Sequence, residues 1–213
     1  MIVNEIFYSI QGESSFAGQP CVFVRLTGCN LRCSYCDTQY AYSEGRDYPI
    51  DQILEIVQSH QCPLVELTGG EPLLQEETPV LVNNLLSKNF HVLMETNGSI
   101  DINRVSSECI KIVDVKCPSS GEESKNDLEN LNRLSSQDEL KFVIGDRADY
   151  EFACDILESR KMARPSLKKT HFSPVYGKMQ PDILVRWILD DHLDVRLQLQ
   201  MHKYIWDPKK RGV

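Results

Sequence analysis

Short predicted strands that alternate with helical patterns are the feature that most constrains the fold of this chain. The predicted strands are residues 21–26, 64–68, 90–95, 110–116, 139–144, 170–173 and 195–200. Apolar residues at helical spacing predict helices at about 50–57, 78–88, 148–160 and 182–192, and a shorter one at Leu128, Leu131 and Leu134. Strands that alternate with helices indicate βαβ units and a mostly parallel sheet.

The length of the chain limits how many such units it can form. A closed barrel of eight βα units typically takes about 250 residues, and this chain has 213. We therefore expect an α/β fold built as a partial, open βα barrel of about six mostly parallel strands. No linker divides the sequence, so we expect a single domain over residues 1–213.

Net charge and the first residues restrict the partners and the location. The formal net charge is −8, which argues against nucleic acid and anionic membrane surfaces, because clustered Lys and Arg bind both. The first residues lack the basic and apolar regions of a signal peptide, and no apolar run approaches the ~18 residues of a membrane span. We expect a cytoplasmic protein with a small-molecule or protein partner.

Three cysteines lie on one short loop directly after the first predicted strand. Cys29, Cys33 and Cys36 have the spacing C-x3-C-x2-C, and three thiolates can bind a four-iron cluster while one iron keeps an open position for chemistry. A cluster that only carries electrons usually has four cysteines. A zinc site would need a fourth Cys or His at a tight, paired spacing, which the neighbouring sequence lacks.

The other cysteines have no such pattern. In a reducing compartment eight cysteines do not predict a disulfide framework. We therefore expect small apolar side chains without a function at Cys21, Cys62, Cys109 and Cys154.

Further polar and glycine-rich segments also follow predicted strands. In parallel α/β folds the ligand binds at the carboxyl ends of the strands, so these segments predict one common site. They are residues 69–71, 95–98 and 116–119, together with His202. A Gly-Gly pair lets the backbone approach a ligand without an intervening Cβ, although a lone pair is more often a plain βα turn.

Several of these segments resemble those of a known enzyme family. The cysteine loop, with Tyr35 before its third cysteine, and residues 68–72 (TGGEP) resemble the radical S-adenosylmethionine enzymes. Within that superfamily the chain resembles the 7-carboxy-7-deazaguanine synthase family over essentially its whole length. The segments that carry the resemblance are 6–13 (IFYSIQGE), Arg25, 36–38 (CDT), 114–118 (DVKCP) and 200–203 (QMHK).

The resemblance implies a reaction and its cofactors. 6-Carboxy-5,6,7,8-tetrahydropterin would be rearranged to 7-carboxy-7-deazaguanine with loss of ammonia, on the route to deazapurine nucleosides such as queuosine. A 5′-deoxyadenosyl radical would take hydrogen from C6 of the substrate and later return it, so that S-adenosylmethionine is not consumed. The implied cofactors are a [4Fe–4S] cluster, S-adenosylmethionine and Mg²⁺, and the implied partners are a flavodoxin-type electron donor and a second copy of the chain.

The resemblance also implies roles for individual residues. The cluster ligands would be Cys29, Cys33 and Cys36, and Thr38 would bind Mg²⁺. Residues expected to contact S-adenosylmethionine are Tyr35, Cys36, Asp37, Gly69, Gly70, Glu71, Lys116, Cys117 and Ser119. Residues expected to contact the substrate are Ile10, Gln11, Gly12, Glu13, Arg25, Thr68, Glu95 and His202, of which Glu95 and His202 are the candidate catalytic residues.

Elementary chemistry agrees with these roles but also offers simpler ones. Arg25 could pair with the substrate carboxylate, although exposed arginines more often form surface ion pairs. The Thr38 hydroxyl suits Mg²⁺, a hard ion that keeps several waters, or it could cap a helix. Glu95 and His202 could handle protons, or be ordinary polar residues of a strand end and a loop.

Two other functions are compatible with parts of the sequence. A glycyl-radical-activating enzyme would have a similar cysteine loop, but would not account for residues 11–13 together with Arg25. A non-catalytic redox or zinc-binding module would not account for residues 68–72. Some members of the resembled family end soon after the histidine with a terminus that reaches the substrate, whereas residues 203–213 continue past it here.

Overall fold

One sheet of nine strands runs through the computed structural model, which describes residues 1–163 and 169–213. The strands are β1 (Ile2–Ile10), β2 (Pro20–Leu26), β3 (Arg46–Asp47), β4 (Leu64–Gly69), β5 (His91–Thr96), β6 (Ile110–Val115), β7 (Glu139–Ile144), β8 (Thr170–Pro174) and β9 (Arg196–Leu197). Their order across the sheet is β3-β1-β2-β4-β5-β6-β7-β8-β9. Because β3 and β9 lie at opposite edges, the sheet is open.

The predicted α/β class and open, mostly parallel sheet are confirmed. β2 and β4 through β8 are six strands that pair in parallel with their neighbours, and β9 adds two parallel residues beside β8. The predicted last strand, residues 195–200, was too long. Its second half leaves the sheet because the side chains of Gln198 and Gln200 hydrogen-bond to the loop that follows β1.

The amino-terminal strand β1 was missed. It pairs antiparallel with β2 from Val3 opposite Leu26 to Ile10 opposite Pro20, and its other edge pairs with β3. Its nine residues include three isoleucines, a valine, a phenylalanine and a tyrosine, a composition that favours strands. The composition of these residues was therefore a signal for a strand that the sequence already contained.

In the described part of the chain, six α-helices connect the strands or follow them. They are α1 (Ile50–Ser59), α2 (Thr78–Ser87), α3 (Asn130–Arg133), α4 (Arg147–Ala163), α5 (Pro181–Asp190) and α6 (His202–Ile205). The predicted helices at 50–57, 78–88, 148–160 and 182–192 agree with α1, α2, α4 and α5 within about three residues. Within the described residues, no helix is both long and apolar enough to cross a membrane.

The core lies on the parallel strands, which are covered on both faces. In β4 the side chains of Leu64, Val65 and Leu67 are all buried, as expected of a parallel strand that faces no solvent. α1 turns Ile53 and Val57 onto the same core. Charged residues within such strands are exceptional, and they identify the site described below.

The loop between β1 and β2, residues 11–19, crosses to the other side of the open sheet. We call it the crossing loop. The backbone N–H of Ser14 donates to Gln198 Oε1 at 2.7 Å, and that of Ser15 donates to Glu139 Oε2 at 2.9 Å. The N–H of Met201 donates to the carbonyl of Gly12 at 3.0 Å. These bonds connect the amino-terminal strand to β7 and to the segment after β9.

Candidate active site

A cavity of about 740 Å³ lies at the carboxyl ends of the parallel strands. Most residues singled out from the sequence line it: Ile10, Gln11, Gly12, Glu13, Arg25, Cys29, Cys33, Tyr35, Cys36, Asp37, Thr38, Thr68, Gly69, Gly70, Glu95, Lys116 and His202. The strands therefore bring together segments that are far apart in the chain. Glu71, Cys117 and Ser119 lie behind the wall of the cavity.

The cysteine loop follows β2 and is fixed by its neighbours on two sides. Ser34 donates through its backbone N–H to the Ser120 carbonyl at 2.9 Å and through its hydroxyl to the Ser119 carbonyl at 2.7 Å. On the other side the Asn97 amide donates to Asn30 Oδ1 at 3.0 Å and to Cys29 Sγ at 3.8 Å. Ser119 thus contributes to this site by positioning the loop.

The surroundings of the cysteines suit thiolate ligands of a metal. Burial raises the pKa of the Cys29 and Cys33 thiols, and a thiol that binds a metal gives up its proton. Two donors already face the Cys29 sulfur, the Asn97 amide and the Leu31 backbone N–H at 3.4 Å. Hydrogen bonds to the sulfurs are one of the means by which proteins tune an iron–sulfur cluster.

The number of cysteines on the loop fits a cluster better than a zinc ion. A structural zinc site requires four ligands in a tetrahedron, and the loop supplies three, Cys29, Cys33 and Cys36. Three thiolates are enough for a four-iron cluster in which one iron keeps an open position. Across residues 1–163 and 169–213, no group of three His, Cys, Asp or Glu side chains could hold a single metal ion.

Gly69 and Gly70 allow the end of β4 to pass directly against the cysteine loop. Gly69 has φ +140°, and a Cβ on it would collide with the carbonyl oxygen of Leu26. A Cβ on Gly70 would collide with the carbonyl oxygen of Gly28 and would lie 2.8 Å from Cys29 Cβ. The two glycines are therefore required by a backbone-to-backbone approach, whether or not a ligand also lies there.

Two buried polar atoms near this approach have no hydrogen-bond partner in the described part of the chain. They are the hydroxyl of Tyr35 and Oδ1 of Asp114, both on residues that line the cavity. The other oxygen of Asp114 accepts from Lys116 Nζ at 2.7 Å. Unpaired buried polar groups are costly, and a polar ligand such as S-adenosylmethionine could satisfy both.

Glu71 supports the cluster side from behind the wall. It is fully buried and accepts hydrogen bonds from the backbone N–H groups of Leu73 at 2.9 Å and Asn97 at 2.7 Å, and from the Thr96 hydroxyl at 2.9 Å. Burial raises the pKa of its carboxyl, although these donors oppose the rise. Because Asn97 in turn contacts Cys29, Glu71 positions the loop through Asn97. Cys117 is also fully buried.

The opposite side of the cavity contains a buried ion triad that the sequence analysis missed. Lys141, on β7, donates to Glu13 Oε2 at 2.5 Å and to Glu95 Oε1 at 2.6 Å. It joins the crossing loop to β5, which is the strand that carries Glu95. The available signal was a lysine among the apolar residues Leu140, Phe142, Val143 and Ile144 of a predicted strand, and Glu66 in β4 offered a similar signal.

The two carboxylates of the triad differ in their other partners. Burial raises the pKa of Glu95, and the attraction of Lys141 only partly offsets this. Burial also acts on Glu13, but Lys141 and the amide of Gln200, at 3.0 Å, outweigh it and the pKa of Glu13 is lowered. The amide of Gln198 also donates to Glu13 at 3.0 Å. Glu13 is therefore the ionised partner of Lys141.

His202 lies against the crossing loop. A Cβ on Gly12 would come within 2.5 Å of His202 Nδ1, so glycine at that position lets the ring contact the loop backbone. Burial lowers the pKa of His202, while Glu13 opposes the change. The imidazole is thus neutral near pH 7 and can accept or donate a proton.

Arg25 lines the cavity and is already paired at one nitrogen. Its Nε donates to Glu5 Oε1 at 2.8 Å, and Tyr40 donates its hydroxyl to the same oxygen at 3.1 Å. The guanidinium carbon also lies 5.8 Å from the centre of the Phe7 ring. An ion pair of Arg25 therefore exists, and because it uses Nε it leaves the terminal nitrogens for a ligand in the cavity.

Thr38 sits at the start of a short 3-10 helix, Gln39–Tyr42, but its hydroxyl does not cap it. The hydroxyl donates instead to Asp37 Oδ1 at 2.8 Å, and Asp37 Oδ2 accepts from Lys203 Nζ at 2.5 Å. Burial raises the pKa of Asp37, but Lys203 outweighs this and lowers it. The hydroxyl and carboxylate oxygens are the kind of ligand that Mg²⁺ prefers.

Residues 208–213 form part of the cavity wall. Arg211 donates to Glu44 Oε2 at 2.7 Å, and its guanidinium carbon lies 3.7 Å from the centre of the Tyr40 ring. The segment past the histidine therefore lies along the cavity here, and Tyr40 has one arginine on its ring and a second, Arg25, 5.9 Å away.

Comparison with known proteins gives a consistent result. Residues 23–113 match the model of the Radical SAM superfamily. The 7-carboxy-7-deazaguanine synthase of Koribacter versatilis is 46% identical over all of both chains, and that of Chlorobaculum tepidum is 44% identical over 99% of this chain and 96% of its own. The crystal structure of QueE from Escherichia coli superposes with a TM-score of 0.74 over 94% of both chains at 21% identity, a likeness of fold.

Replacing Gly70 by alanine tests the close approach of β4 to the cysteine loop. We expect Gly70→Ala to lose ~1–3 kcal/mol of folding stability and to bind less iron after anaerobic reconstitution, because the methyl group displaces Gly28 and Cys29. Gly18→Ala is the control for loss of stability alone, since its φ of +92° strains an alanine while no neighbour lies within 4 Å, so this variant should be destabilised but keep its iron. Equal iron content and melting temperature in Gly70→Ala and the parent would contradict this reading.

Proposed function

The chain belongs to the 7-carboxy-7-deazaguanine synthase family, and from this premise we propose how the residues of its cavity carry out the family's reaction. The chain is a radical S-adenosylmethionine lyase of deazapurine biosynthesis. It converts 6-carboxy-5,6,7,8-tetrahydropterin to 7-carboxy-7-deazaguanine with loss of ammonia. The observation that carries the assignment of residues is that the cysteine loop, the glycines of β4 and the charged groups around Lys141 line one cavity.

The cluster side would bind the cofactors. Cys29, Cys33 and Cys36 would be the protein ligands of the [4Fe–4S] cluster, and Gly69, Gly70, Tyr35 and Asp114 would contact S-adenosylmethionine beside it. When bound, the reduced cluster and S-adenosylmethionine supply the radical that takes hydrogen from the substrate. The protein supplies orientation and excludes side reactions. Asn97, held by Glu71, keeps the loop at a fixed distance from β5.

The opposite side would bind the substrate. The terminal nitrogens of Arg25 can pair with its carboxylate in a planar, charge-assisted contact. The pterin ring presents donors and acceptors along one edge, and the polar groups of the crossing loop face the cavity to meet them. These are the side chains of Gln11 and Glu13 and the backbone between them.

Loss of ammonia requires that protons move within the cavity. Neutral His202 can accept or donate one near pH 7, and Glu95, whose pKa is raised, can hold one more readily than an exposed glutamate. Both lie beside Glu13 and Lys141, which remain charged as a pair. We assign proton transfer to His202 and Glu95, and electrostatic positioning to Lys141 and Glu13.

The assignment predicts one product that neither alternative function would form. After anaerobic reconstitution and chemical reduction, the parent should form 7-carboxy-7-deazaguanine from the tetrahydropterin, detected by mass spectrometry. Cys33→Ala should form none, whereas Cys62→Ala should remain active because Cys62 lies outside the cavity. A glycyl-radical-activating enzyme would cleave S-adenosylmethionine to 5′-deoxyadenosine without this product, and a redox or zinc module would form neither compound.

The proposed contact of Arg25 with the substrate predicts a loss of affinity. Removing one member of a buried ion pair commonly costs ~2–5 kcal/mol, so Arg25→Ala should raise the dissociation constant of the substrate at least about thirtyfold. Arg25→Lys should fall in between, because lysine retains the charge but not the planar fork. The affinity for S-adenosylmethionine should stay nearly constant.

Glu5→Gln is the matched control for that measurement. It weakens the internal partner of Arg25 without removing the guanidinium, so substrate affinity should change only about threefold or less. If Glu5→Gln weakens binding as much as Arg25→Ala, the role of Arg25 is the internal pair and not the substrate.

A Mg²⁺ site at Thr38 is a further proposal, supported by its hydroxyl and the neighbouring Asp37 carboxylate on the cavity wall. Electron paramagnetic resonance of Mn²⁺ in the presence of substrate can measure binding directly. Thr38→Ala should weaken Mn²⁺ binding by about tenfold or more, and Thr38→Ser should retain it. Unchanged binding in Thr38→Ala would remove Thr38 from the site.

We also propose a single domain, a homodimer, a flavodoxin-type electron donor and a cytoplasmic location. The continuous sheet supports the single domain. The eight cysteines are unpaired with one another, which suits a reducing compartment. The homodimer and the donor rest on the family resemblance. A monomer in light scattering would contradict the homodimer. Failure of purified flavodoxin to reduce the cluster would contradict the proposed donor.

A further inference from the structure

A third buried carboxylate lies beside the Lys141 ion triad, and the mechanism above gives it no role. Glu66 is on β4, is 3% exposed and lines the cavity. Its Oε2 accepts a hydrogen bond from Nε2 of Gln11, which is itself only 4% exposed. A glutamate in the middle of a buried parallel strand is costly unless its carboxyl is paired or neutral.

The cations near Glu66 are each bonded to other carboxylates. Glu95, Glu13, Lys141 and Arg25 act on it electrostatically. Lys141 bonds to Glu13 and Glu95, and Arg25 bonds to Glu5. In the described residues the hydrogen-bond partner of Glu66 is therefore a neutral amide.

Three carboxylates around one ammonium in a buried site favour binding of a proton by one of them. Glu13 and Glu95 each have a direct bond to Lys141, so Glu66 is the group that loses least by becoming neutral. Burial raises its pKa well above the usual range of a glutamate, and the charges of Glu95 and Glu13 raise it further.

Gln11, the hydrogen-bond partner of Glu66, is held through both polar atoms of its side-chain amide. Nε2 of Gln11 donates to Glu66, while Oε1 accepts from the backbone N–H of Glu13 at 2.9 Å. Without Glu66 the amide would keep only the contact within its own loop. The position of Gln11 in the cavity therefore depends on a residue of β4.

We propose that Glu66 is a positioning residue that fixes Gln11 for substrate binding, and that it acts as a neutral carboxylic acid. One oxygen accepts from Gln11, and the O–H on the other is a donor that a carboxylate could not provide. The inference rests on the proposed function in that it takes Gln11 as a contact of the tetrahydropterin.

Two uncharged variants test whether the substrate affinity depends on the hydrogen bond that Glu66 accepts or on a negative charge. Glu66→Gln keeps a neutral acceptor for Gln11 and replaces the O–H by N–H, so the reconstituted enzyme should bind 6-carboxy-5,6,7,8-tetrahydropterin within about threefold of the parent. Glu66→Leu fills the space but leaves the amide unpaired, and should raise the dissociation constant about five- to a hundredfold. Iron content and affinity for S-adenosylmethionine should be unchanged in both variants, since Glu66 contacts neither.

Infrared difference spectroscopy on the reconstituted enzyme measures the proton directly. At pH 7 the parent-minus-Glu66→Gln spectrum should contain the carbonyl band of a protonated carboxyl, and the subtraction removes the signal of other buried acids such as Glu71. The matched control is Glu55→Gln, at an exposed glutamate of α1, which should remove carboxylate bands alone.

Three results would overturn the inference. They are a missing carboxyl band in the parent, a loss of affinity in Glu66→Gln equal to that in Glu66→Leu, and unchanged affinity in Glu66→Leu. Failure of the proposed function would look different, because the parent itself would then not bind the tetrahydropterin.

Discussion

The substrate side of this protein depends on one interaction, the ion triad that the Lys141 ammonium group forms with Glu13 and Glu95. The ammonium group lies between Glu13 of the crossing loop and Glu95 of β5, at 2.5 and 2.6 Å. A buried charge of this kind is stable only when its partners are in place, and removing one partner of such a pair typically costs ~3–5 kcal/mol. The triad therefore helps to hold the crossing loop, together with the bonds of Ser14, Ser15 and Gly12 to the other side of the sheet.

The cluster side depends on contacts of a different kind. There the backbone of β4 passes against the cysteine loop with no side chain between them, and Glu71 bonds to the backbone of Asn97 at 2.7 Å. Close packing and hydrogen bonds to backbone N–H groups thus position the thiols, whereas ion pairs position the polar groups opposite them. Because parallel strands end at the same edge of the sheet, the two sides face one cavity.

The sequence predicted the parallel part of the fold because the periods of its strands and helices are clear. β1 was missed although its composition favours a strand, because its side chains are mostly half-buried and its apolar and polar residues do not alternate regularly. Family resemblance and strand ends located Cys29 and Arg25. Lys141 and Glu66 were missed because a charged residue in a buried strand becomes meaningful only when its partners are known, and those partners come from other strands and from the crossing loop. Glu71 could be singled out from the sequence, but its hydrogen bond with Asn97 could not be predicted.

If the cofactors and the substrate bind in this one cavity, a hydrogen atom can pass directly between them, and isotope transfer measures this step. The reconstituted enzyme would be supplied with S-adenosylmethionine and with tetrahydropterin that carries deuterium at C6. Deuterium should appear in the recovered S-adenosylmethionine while 7-carboxy-7-deazaguanine is formed. Formation of the product with no deuterium in S-adenosylmethionine or 5′-deoxyadenosine would contradict direct transfer within one cavity.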